Sequence, residues 1–382
     1  MVPPSRTVLS SAVCISFIFA SSLTVAQEST DTAADTVAEG SDLLPDIRED
    51  KSKLKYRKRN FVIVPIPMSN PTLDSGLILG GAYFWPQTEQ QKAVQPASVT
   101  GAAAMYTSND SKAYGIAQSN YWNEDKWRFE GVLGYVDLRL ELRVPGVAGS
   151  EPRADWVIEG NFFQGEFLRQ VSGDWYAGVS GRYFSLNQSF SIDTPSPDFD
   201  VTSDTEAVGL GVKTQYDSRD MPFNSYSGRF FELDALFNSE ALGSDNDYQT
   251  YKAKYRSYHR LSPTVVLAWE LQGCTISGKA PLWDTCRIHL RGFPATEYLG
   301  SASASGQAEG RWQFHRKWGA VAFAGAGYVT DGFSEFLENE PVPSYGIGLR
   351  FMALSSHRIN VRLDYARSRN NDAIYLSVGE AF

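Results

Sequence analysis

The sequence predicts an all-β fold, a transmembrane antiparallel β-barrel of the bacterial outer-membrane type, and three observations carry that prediction. Apolar and polar residues alternate with a period of two in segment after segment. An export signal opens the chain. Beyond it, no segment reaches the ~18 consecutive apolar residues that a membrane helix needs, so a membrane-embedded mature chain has to be a closed barrel.

Taken in order, residues 1–26 read as a signal peptide. Arg6 gives a positive start, Val8 to Leu23 an apolar stretch, and Thr24-Val25-Ala26 a small-residue cleavage site ahead of Gln27. Residues 27–60 read as a disordered periplasmic leader. Its acidic part holds Glu28, Asp31, Asp35, Glu39, Asp42, Asp46, Glu49 and Asp50, and its basic end holds Lys51, Lys53, Lys55, Arg57, Lys58 and Arg59. The basic end reads as a solvated linker, or as a collar suited to anionic lipid or lipopolysaccharide phosphate. Of the three cysteines, Cys14 falls within the signal segment. An exported chain with Cys274 and Cys286 left over makes a local disulfide between them an expectation.

The barrel is expected over residues 61–382. Phe61 to Met68 contains Pro65 and Pro67 and reads as an edge or lead-in segment at best. Alternating runs follow at 74–85, 97–107, 111–121, 126–137, 155–165, 174–184, 205–216, 228–238, 247–258 and 263–273. After them, Ala308, Gly310, Trp312 and Phe314 alternate with Gln307, Glu309, Arg311 and Gln313. Tyr345, Ile347, Leu349 and Phe351 alternate with Gly346, Gly348 and Arg350, and the Ile359–Tyr365 run alternates likewise. Ile374 to Phe382 reads as a final alternating strand. Charge on the second face makes that face wet, as in a barrel lumen. Sixteen strands, with fourteen as the alternative, leave about 20 residues per strand and turn, against ~9–11 needed to cross a membrane.

Composition excludes some functions. With 35 basic and 44 acidic residues the net charge is −9, which argues against a nucleic-acid partner. The four histidines form no closely spaced pair, so no metal site and no cofactor is expected. Gly178-Val179-Ser180-Gly181 lacks the surroundings of a nucleophile elbow, and Leu77 to Gly81 lacks the helix of a phosphate cradle. No enzyme is expected.

Five ordered motifs add a family resemblance. These are Asp217-Ser218-Arg219-Asp220 with Pro222 and Gly228; Arg291-Gly292-Phe293-Pro294; Gln307-Ala308-Glu309; Tyr345 to Phe351; and Val361 to Ala366, closed by Gly379-Glu380-Ala381-Phe382. Together they resemble the bacterial surface antigen barrels of the BamA/TamA superfamily, well over 210–382 and loosely over 60–210. The resemblance implies that an extracellular loop carries the Arg291-Gly292-Phe293 tip into the lumen, and that Glu309 lies near Arg291. It also implies that Phe382 belongs to a recognition signal for the barrel-assembly machinery. Charge logic agrees on the latch, because an arginine in a narrow lumen requires a carboxylate or carbonyls, and period-two reading points Glu309 inward.

Two departures from the family pattern stand out. Gly325 occupies the position of an expected aspartate, so one presumed partner of the loop arginine is missing. The leader is also too short for a POTRA domain, which matches a POTRA-less branch. The resemblance implies bacterial outer-membrane localisation and a role in inserting or transporting protein or lipid, served by a client protein or a soluble periplasmic partner. A gated or passive solute pore and a structural surface antigen are the alternatives.

Overall fold

The protein is described by a computed structural model covering residues 60–143, 153–192, 199–221, 224–331, 340–355, 358–369 and 371–382. The expected signal peptide, the leader up to Arg59 and Pro222 lie outside the described residues. The chain runs through β1 (Phe61–Asn70), β2 (Asp74–Phe84), a short helix α1 (Glu89–Val94), β3 (Val99–Thr107) and β4 (Lys112–Trp122). Four long strands follow: β5 (Trp127–Arg143), β6 (Arg153–Ser172), β7 (Trp175–Ile192) and β8 (Phe199–Asp217). Next come β9 (Gly228–Asn238), β10 (Tyr248–Ser262) and β11 (Val265–Gly278). A loop over 279–301 contains two-residue strands β12 (Cys286–Arg287) and β13 (Leu299–Gly300), which pair with each other. The chain ends in β14 (Ala302–His315), β15 (Trp318–Thr330), β16 (Val342–Leu354), β17 (Ile359–Ser368) and β18 (Asp372–Val378).

Every strand except β12 and β13 joins one closed antiparallel barrel, ordered along the chain, in which β18 returns to β1. Sixteen strands close it, the number expected from sequence. Closure leaves no lipid-exposed sheet edge. The lipid-facing side shows the anticipated apolar residues, with Leu133, Val179, Leu210, Val212, Ile347 and Ile374 all exposed. The rim carrying residues 279–301 corresponds to the extracellular side, where single-chain bacterial barrels place their longer loops.

Strands β5 to β8 differ from the ~10-residue runs read from the sequence. They continue well beyond that length, and their polarity inverts on the way. Along β5, the outward face passes from Phe129, Leu133 and Tyr135 to Asp137, Arg139 and Glu141, while the inward face passes from Arg128 and Glu130 to Val136, Leu138, Leu140 and Leu142. Below the inversion the outside meets lipid and the inside meets water; above it the outside meets water and the inside is a dry core. That core joins Leu138, Leu140, Trp156, Ile158, Phe162, Phe184 and Leu186 to Trp283 of the 279–301 loop. Stacked rings hold it, Trp156 on Phe190 at 5.5 Å and Phe162 on Phe184 at 5.8 Å between centroids.

Barrel closure is unequal around the ring. The β17–β18 ladder runs without a break from Val361↔Val378 to Arg367↔Asp372, whereas β1 and β18 register at one pair, Ser69↔Leu376. The sequence explains the difference. The Asn60 carbonyl accepts from the Phe84 amide at 2.7 Å, and the β1–β2 register is continuous from there to Asn70↔Asp74. Even-numbered residues of β1 therefore point their backbone groups at β2, and odd-numbered residues point theirs at β18. Pro65, Pro67 and Pro71 are all odd. Between residues 65 and 71, Ser69 alone offers β18 an N–H. The segment read as an edge or lead-in is thus a barrel strand, and its prolines sit where the ladder can do without donors.

The final strand also differs from expectation. β18 stops at Val378, where Gly379 takes a φ of 94°, and the chain turns inward. The Phe382 ring comes to lie in the lumen, packed with Tyr258 and Ala268, instead of continuing the strand.

The inversion makes a testable distinction within one strand. Leu138→Ala should destabilise the barrel by about 2–5 kcal/mol, the usual cost of a large-to-small change in a packed core. Arg139→Ala, on the opposite face, should stay within about 0.5 kcal/mol. Urea titration of the refolded protein in detergent, followed by tryptophan fluorescence, compares the two; equal effects would exclude a dry core above the inversion.

Candidate functional site

The 279–301 loop crosses the lumen and is fastened at three points. At the first, Asp284 pairs with Arg182 of β7, and the Tyr248 hydroxyl of β10 donates to the same carboxylate at 3.0 Å. Burial alone would push the Asp284 carboxyl up, but the adjoining Arg182 guanidinium holds it below the ordinary carboxylate range. The second is a disulfide between Cys286 and Cys274 of β11, with 5.6 Å between their Cα atoms. The third is the tip. The bond and the Asp284 pair together fix the first half of the loop to the β7–β11 wall.

At the tip, Arg291 is buried and spends every donor edge. Its Nη2 lies 2.5 Å from Glu309 Oε2 on β14, and its Nη1 lies 2.8 Å from Asp364 Oδ2 on β17. Gln307 Oε1 accepts from Nη2 at 2.7 Å and from Nε at 3.1 Å. The guanidinium carbon sits 3.4 Å above the centroid of the Phe323 ring on β15. Both carboxylates are fully buried and shared: Glu309 also takes Arg311 Nε at 2.8 Å, and Asp364 also takes Arg350 of β16. Arg350 extends the network to Glu380, 2.7 Å away in the inward-turned tail, whose other oxygen accepts from Asn360 at 2.6 Å. A buried charge of either sign is costly unless paired and hydrogen-bonded, and here each has at least two partners.

Backbone contacts lock the tip in place. Gly292 has a φ of 95°, and a Cβ there would stand 3.1 Å from the Arg367 carbonyl carbon, so both conformation and space require glycine. Its N–H donates to the Tyr375 hydroxyl at 2.7 Å, and its carbonyl accepts from Ser368 Oγ at 2.9 Å. The Ser344 hydroxyl donates to the Arg291 carbonyl. Phe293 is buried with Ile288 and Val342 and meets Tyr298 edge-on at 5.3 Å. Farther along, Ala295 N–H donates to Thr72 Oγ1 beside the β1–β2 turn at 2.8 Å. The loop thus bridges the β7–β11 wall to the β14–β18 wall and the start of the barrel.

The sequence named Arg291, Gly292, Phe293 and Glu309, and the structure brings these four together; it bonds Cys274 to Cys286 and places Phe382 in the lumen, where its carbonyl accepts from Arg311 at 2.8 Å. Two participants escaped the sequence reading. Asp364, inside the Val361 to Ala366 motif, was given no role of its own, yet it is the second carboxylate on Arg291. At Gly325, where the resemblance leads one to expect an aspartate, there is no room for a side chain, with the Gly306 carbonyl oxygen 2.5 Å from where a Cβ would be. Arg182 with Asp284 was not singled out at all. The available signal was an inward-facing arginine on β7, but its partner lies 102 residues away in a loop. The motif around Asp217 to Asp220 forms a periplasmic turn: Arg219 pairs with Asp217 at 2.8 Å, and Asp220 with Arg358 beyond β16 at 2.6 Å.

Away from the loop, the lumen wall carries a ladder of alternating charge. Lys213 lies 2.5 Å from Glu166 and 3.1 Å from Glu232, and Lys254 lies 3.6 Å from Glu232. Arg256 pairs with Glu270.

A sixteen-stranded barrel with an apolar belt, a charged lumen and a loop fastened across it defines an integral outer-membrane barrel. Residues 163–382 match the family model described as the Omp85 superfamily domain, and the chain belongs to that superfamily. Among solved structures, the fold is similar to that of BamA from Haemophilus ducreyi lacking POTRA domains 1–3. The TM-score is 0.56 at 13% identity, covering 84% of this chain and 70% of that one. It is also similar to CdiB from Acinetobacter baumannii, with TM-score 0.54, 10% identity, and coverage of 84% of this chain and 60% of the other. CdiB from Escherichia coli gives TM-score 0.54 at 10% identity, covering 82% and 62%. Comparison with curated protein sequences finds no match.

Because Arg291 and Glu309 share one network, their substitutions should not add. Arg291→Ala should lower the temperature at which the refolded barrel loses its compact gel mobility. Glu309→Ala on top of it should cost less than Glu309→Ala alone, by about 1 kcal/mol or more. Additive losses in that double-mutant cycle would mean the two residues act independently.

Proposed function

We propose that the protein moves extended protein segments into or across the outer membrane through the β1–β18 seam, with the 279–301 loop as the element that keeps the lumen closed meanwhile. The observation that carries this reading is the seam itself: one registered pair joins β1 to β18. A net backbone hydrogen bond contributes about 1 kcal/mol, so parting such a seam is a small cost beside parting any other ladder of the barrel. Membership of the Omp85 superfamily and the likeness to BamA and CdiB barrels support the same reading by analogy. Lipid transport would use the same opening. Outer-membrane lipid surrounds the seam, and the barrel-assembly machinery would be the partner during biogenesis.

The passive-pore alternative has less support. Trp283 and the dry core of β5–β8 occupy the extracellular half of the lumen, and the Arg291 network fills the side next to the seam. An open aqueous path would have to displace both. A gated pore requires the loop to leave, while Asp284 and the Cys274–Cys286 bond hold its first half to the wall.

Locking the seam tests the proposal. In a Cys274→Ser, Cys286→Ser background, Ser69→Cys with Leu376→Cys places two thiols on the one registered pair. Liposomes holding the reduced variant should speed the insertion of a urea-unfolded eight-stranded outer-membrane barrel, and oxidation should abolish that gain. Insertion unaffected by the lock, or no acceleration by the unlocked protein, would overturn the proposal. In planar bilayers, the unmutated protein should be mostly silent and Arg291→Ala should show openings; steady large conductance from the unmutated protein would favour a pore.

A further inference from the structure

On the extracellular side, β8 rises above its neighbour β9. β9 ends at Asn238, opposite Gly209, while β8 stays paired with β7 as far as Ile192↔Phe199. Ser239 N–H donates to the Val208 carbonyl and Asp245 N–H to the Glu206 carbonyl, so even-numbered residues of β8 turn their backbone groups to the β9 side. Capping on that side goes no higher than Glu206, whose N–H donates to Asp245 Oδ2 at 2.7 Å. Beyond it, among the described residues, no strand stands beside Asp204, Thr202 and Asp200. Their N–H groups and carbonyls form an open edge in water, above the lipid belt, where only the Asp204 carbonyl is engaged, by the Ser203 hydroxyl at 3.3 Å. The opposite edge of the same β5–β8 sheet is treated otherwise. There Asn109 Nδ2 donates to the Arg139 carbonyl at 2.8 Å, and Arg139 N–H donates to Ser111 Oγ at 2.9 Å. An open edge is a template for another strand, and its surroundings decide which strand.

We infer that this edge of β8 is a docking site for an extended cationic polypeptide on the extracellular side, bound by strand addition with basic and apolar residues in alternation. The inference is independent of the seam reading. Charge selects the occupant. Asp204, Glu206, Glu240, Asp245 and Asp247 are all exposed around the edge. The chain holds no Lys or Arg from 183 to 212 or from 230 to 251. Such a rim repels a second copy of itself and draws in a strand of opposite charge. The two faces of the strand set the alternation. Thr202 and Asp204 point outward into water, as Leu210 and Val212 of the same parity point outward to lipid. Cross-strand neighbours share a face, so a strand laid antiparallel here sets basic residues beside Asp204. Odd-numbered residues belong to the inner face. Trp156 stands opposite Phe190 and Phe190 opposite Val201, and the row stops there with Val201 42% exposed. An apolar residue beside Val201 extends that row. Main-chain pairing supplies the hold and the alternation supplies the selection, whereas a helix or an anionic strand meets neither condition.

Peptide binding to the refolded full-length protein in zwitterionic detergent tests this, with empty micelles as the blank. The probe is a fluorescent peptide of alternating lysine and valine, about ten residues long, the upper end of natural strand lengths. Its comparison form is N-methylated at the lysine amides, the ones that pair with β8 when the lysines face outward. Anisotropy should show saturable binding of the first peptide and binding about tenfold weaker, or less, for the second. Thr202→Pro removes an N–H from the open side only and leaves the β7 ladder whole. It should weaken binding about fivefold while the gel mobility of the barrel stays unchanged. Asp204→Lys with Glu206→Lys should weaken binding severalfold at low ionic strength and less at high. Equal binding of the two peptides, or binding indifferent to Thr202→Pro, would reduce the edge to diffuse charge attraction and overturn strand addition. No saturable binding, or binding unmoved by the charge reversal, would overturn the site itself.

Discussion

A strand in hydrocarbon has no water to satisfy its backbone, and each unpaired N–H or C=O there costs several kcal/mol, roughly the reason that membranes are crossed by closed barrels and helices alone. Sixteen strands in chain order meet that constraint at every ladder of this barrel but one. At the β1–β18 seam the constraint is met differently: Pro65 and Pro67 of β1, and Pro71 just beyond it, all of one parity, remove donors instead of pairing them. A proline carbonyl still seeks a partner, but the donor deficit is written into the covalent structure and cannot be repaired by a shift of register. Register, lumen contents and the resting position of the loop all follow from closing a ring that has one weak joint.

A weak joint in a charged barrel would leak without internal packing, and the 279–301 loop supplies it next to the joint. Arg291 ties the loop to β14 and β17, Gly292 ties it to β17 and β18, and Ala295 ties it to Thr72 by the β1–β2 turn. The loop therefore braces both sides of the seam from inside. The opposite wall needs no such brace, because β5–β8 carry their own dry core above the membrane. Fastening is graded along the loop. A covalent bond and the buried Asp284 pair hold its first half, whereas the tip relies on ion pairs and hydrogen bonds that exchange partners more readily. Motion of the tip with the anchor in place is the displacement this arrangement permits.

What the sequence could reveal followed its local regularities. Period-two alternation located fourteen of the sixteen barrel strands, leaving out β1 and β15, and the Arg-Gly-Phe tip with Glu309 was readable because a buried arginine restricts its partners so strongly. Failures came where two local rules conflicted or a partner was remote. β5, β7 and β8 were read as stopping near Asp137 or its ladder equivalents because the apolar residues change faces there; Leu138, Leu140 and Leu142 continue the alternation with opposite sense, and one-face counting stops at the switch, whereas the 155–165 run crossed it in β6 and missed the far end of that strand. Pro65 and Pro67 demoted β1 correctly to an edge, but an edge in a closed barrel is still a strand. Asp364 and Arg182 could not be assigned, since nothing local tells an inward charge which of several charges on other strands it will meet. Gly379, a φ-permissive residue within an alternating run, was the unheeded sign that the last strand would turn.

The inward turn at Gly379 has a consequence for the seam as a whole. Had β18 continued straight, Glu380 and Phe382 would have faced Pro65 and Ile63 by the register of Ser69 with Leu376. Instead Glu380 completes the shell of Arg350, the arginine that also holds Asp364 against Arg291, and Phe382 packs on Tyr258 across the lumen. The end of β18 is thereby coupled to the loop tip through two residues: shifting the tail would loosen Arg350, and loosening Arg350 would leave Asp364 to Arg291 and the more distant Arg362. One ionic network thus touches the loop that braces the seam and the tail that bends away from it. The bend at the end of β18 and the position of the loop tip are, in this barrel, held by the same set of buried charges.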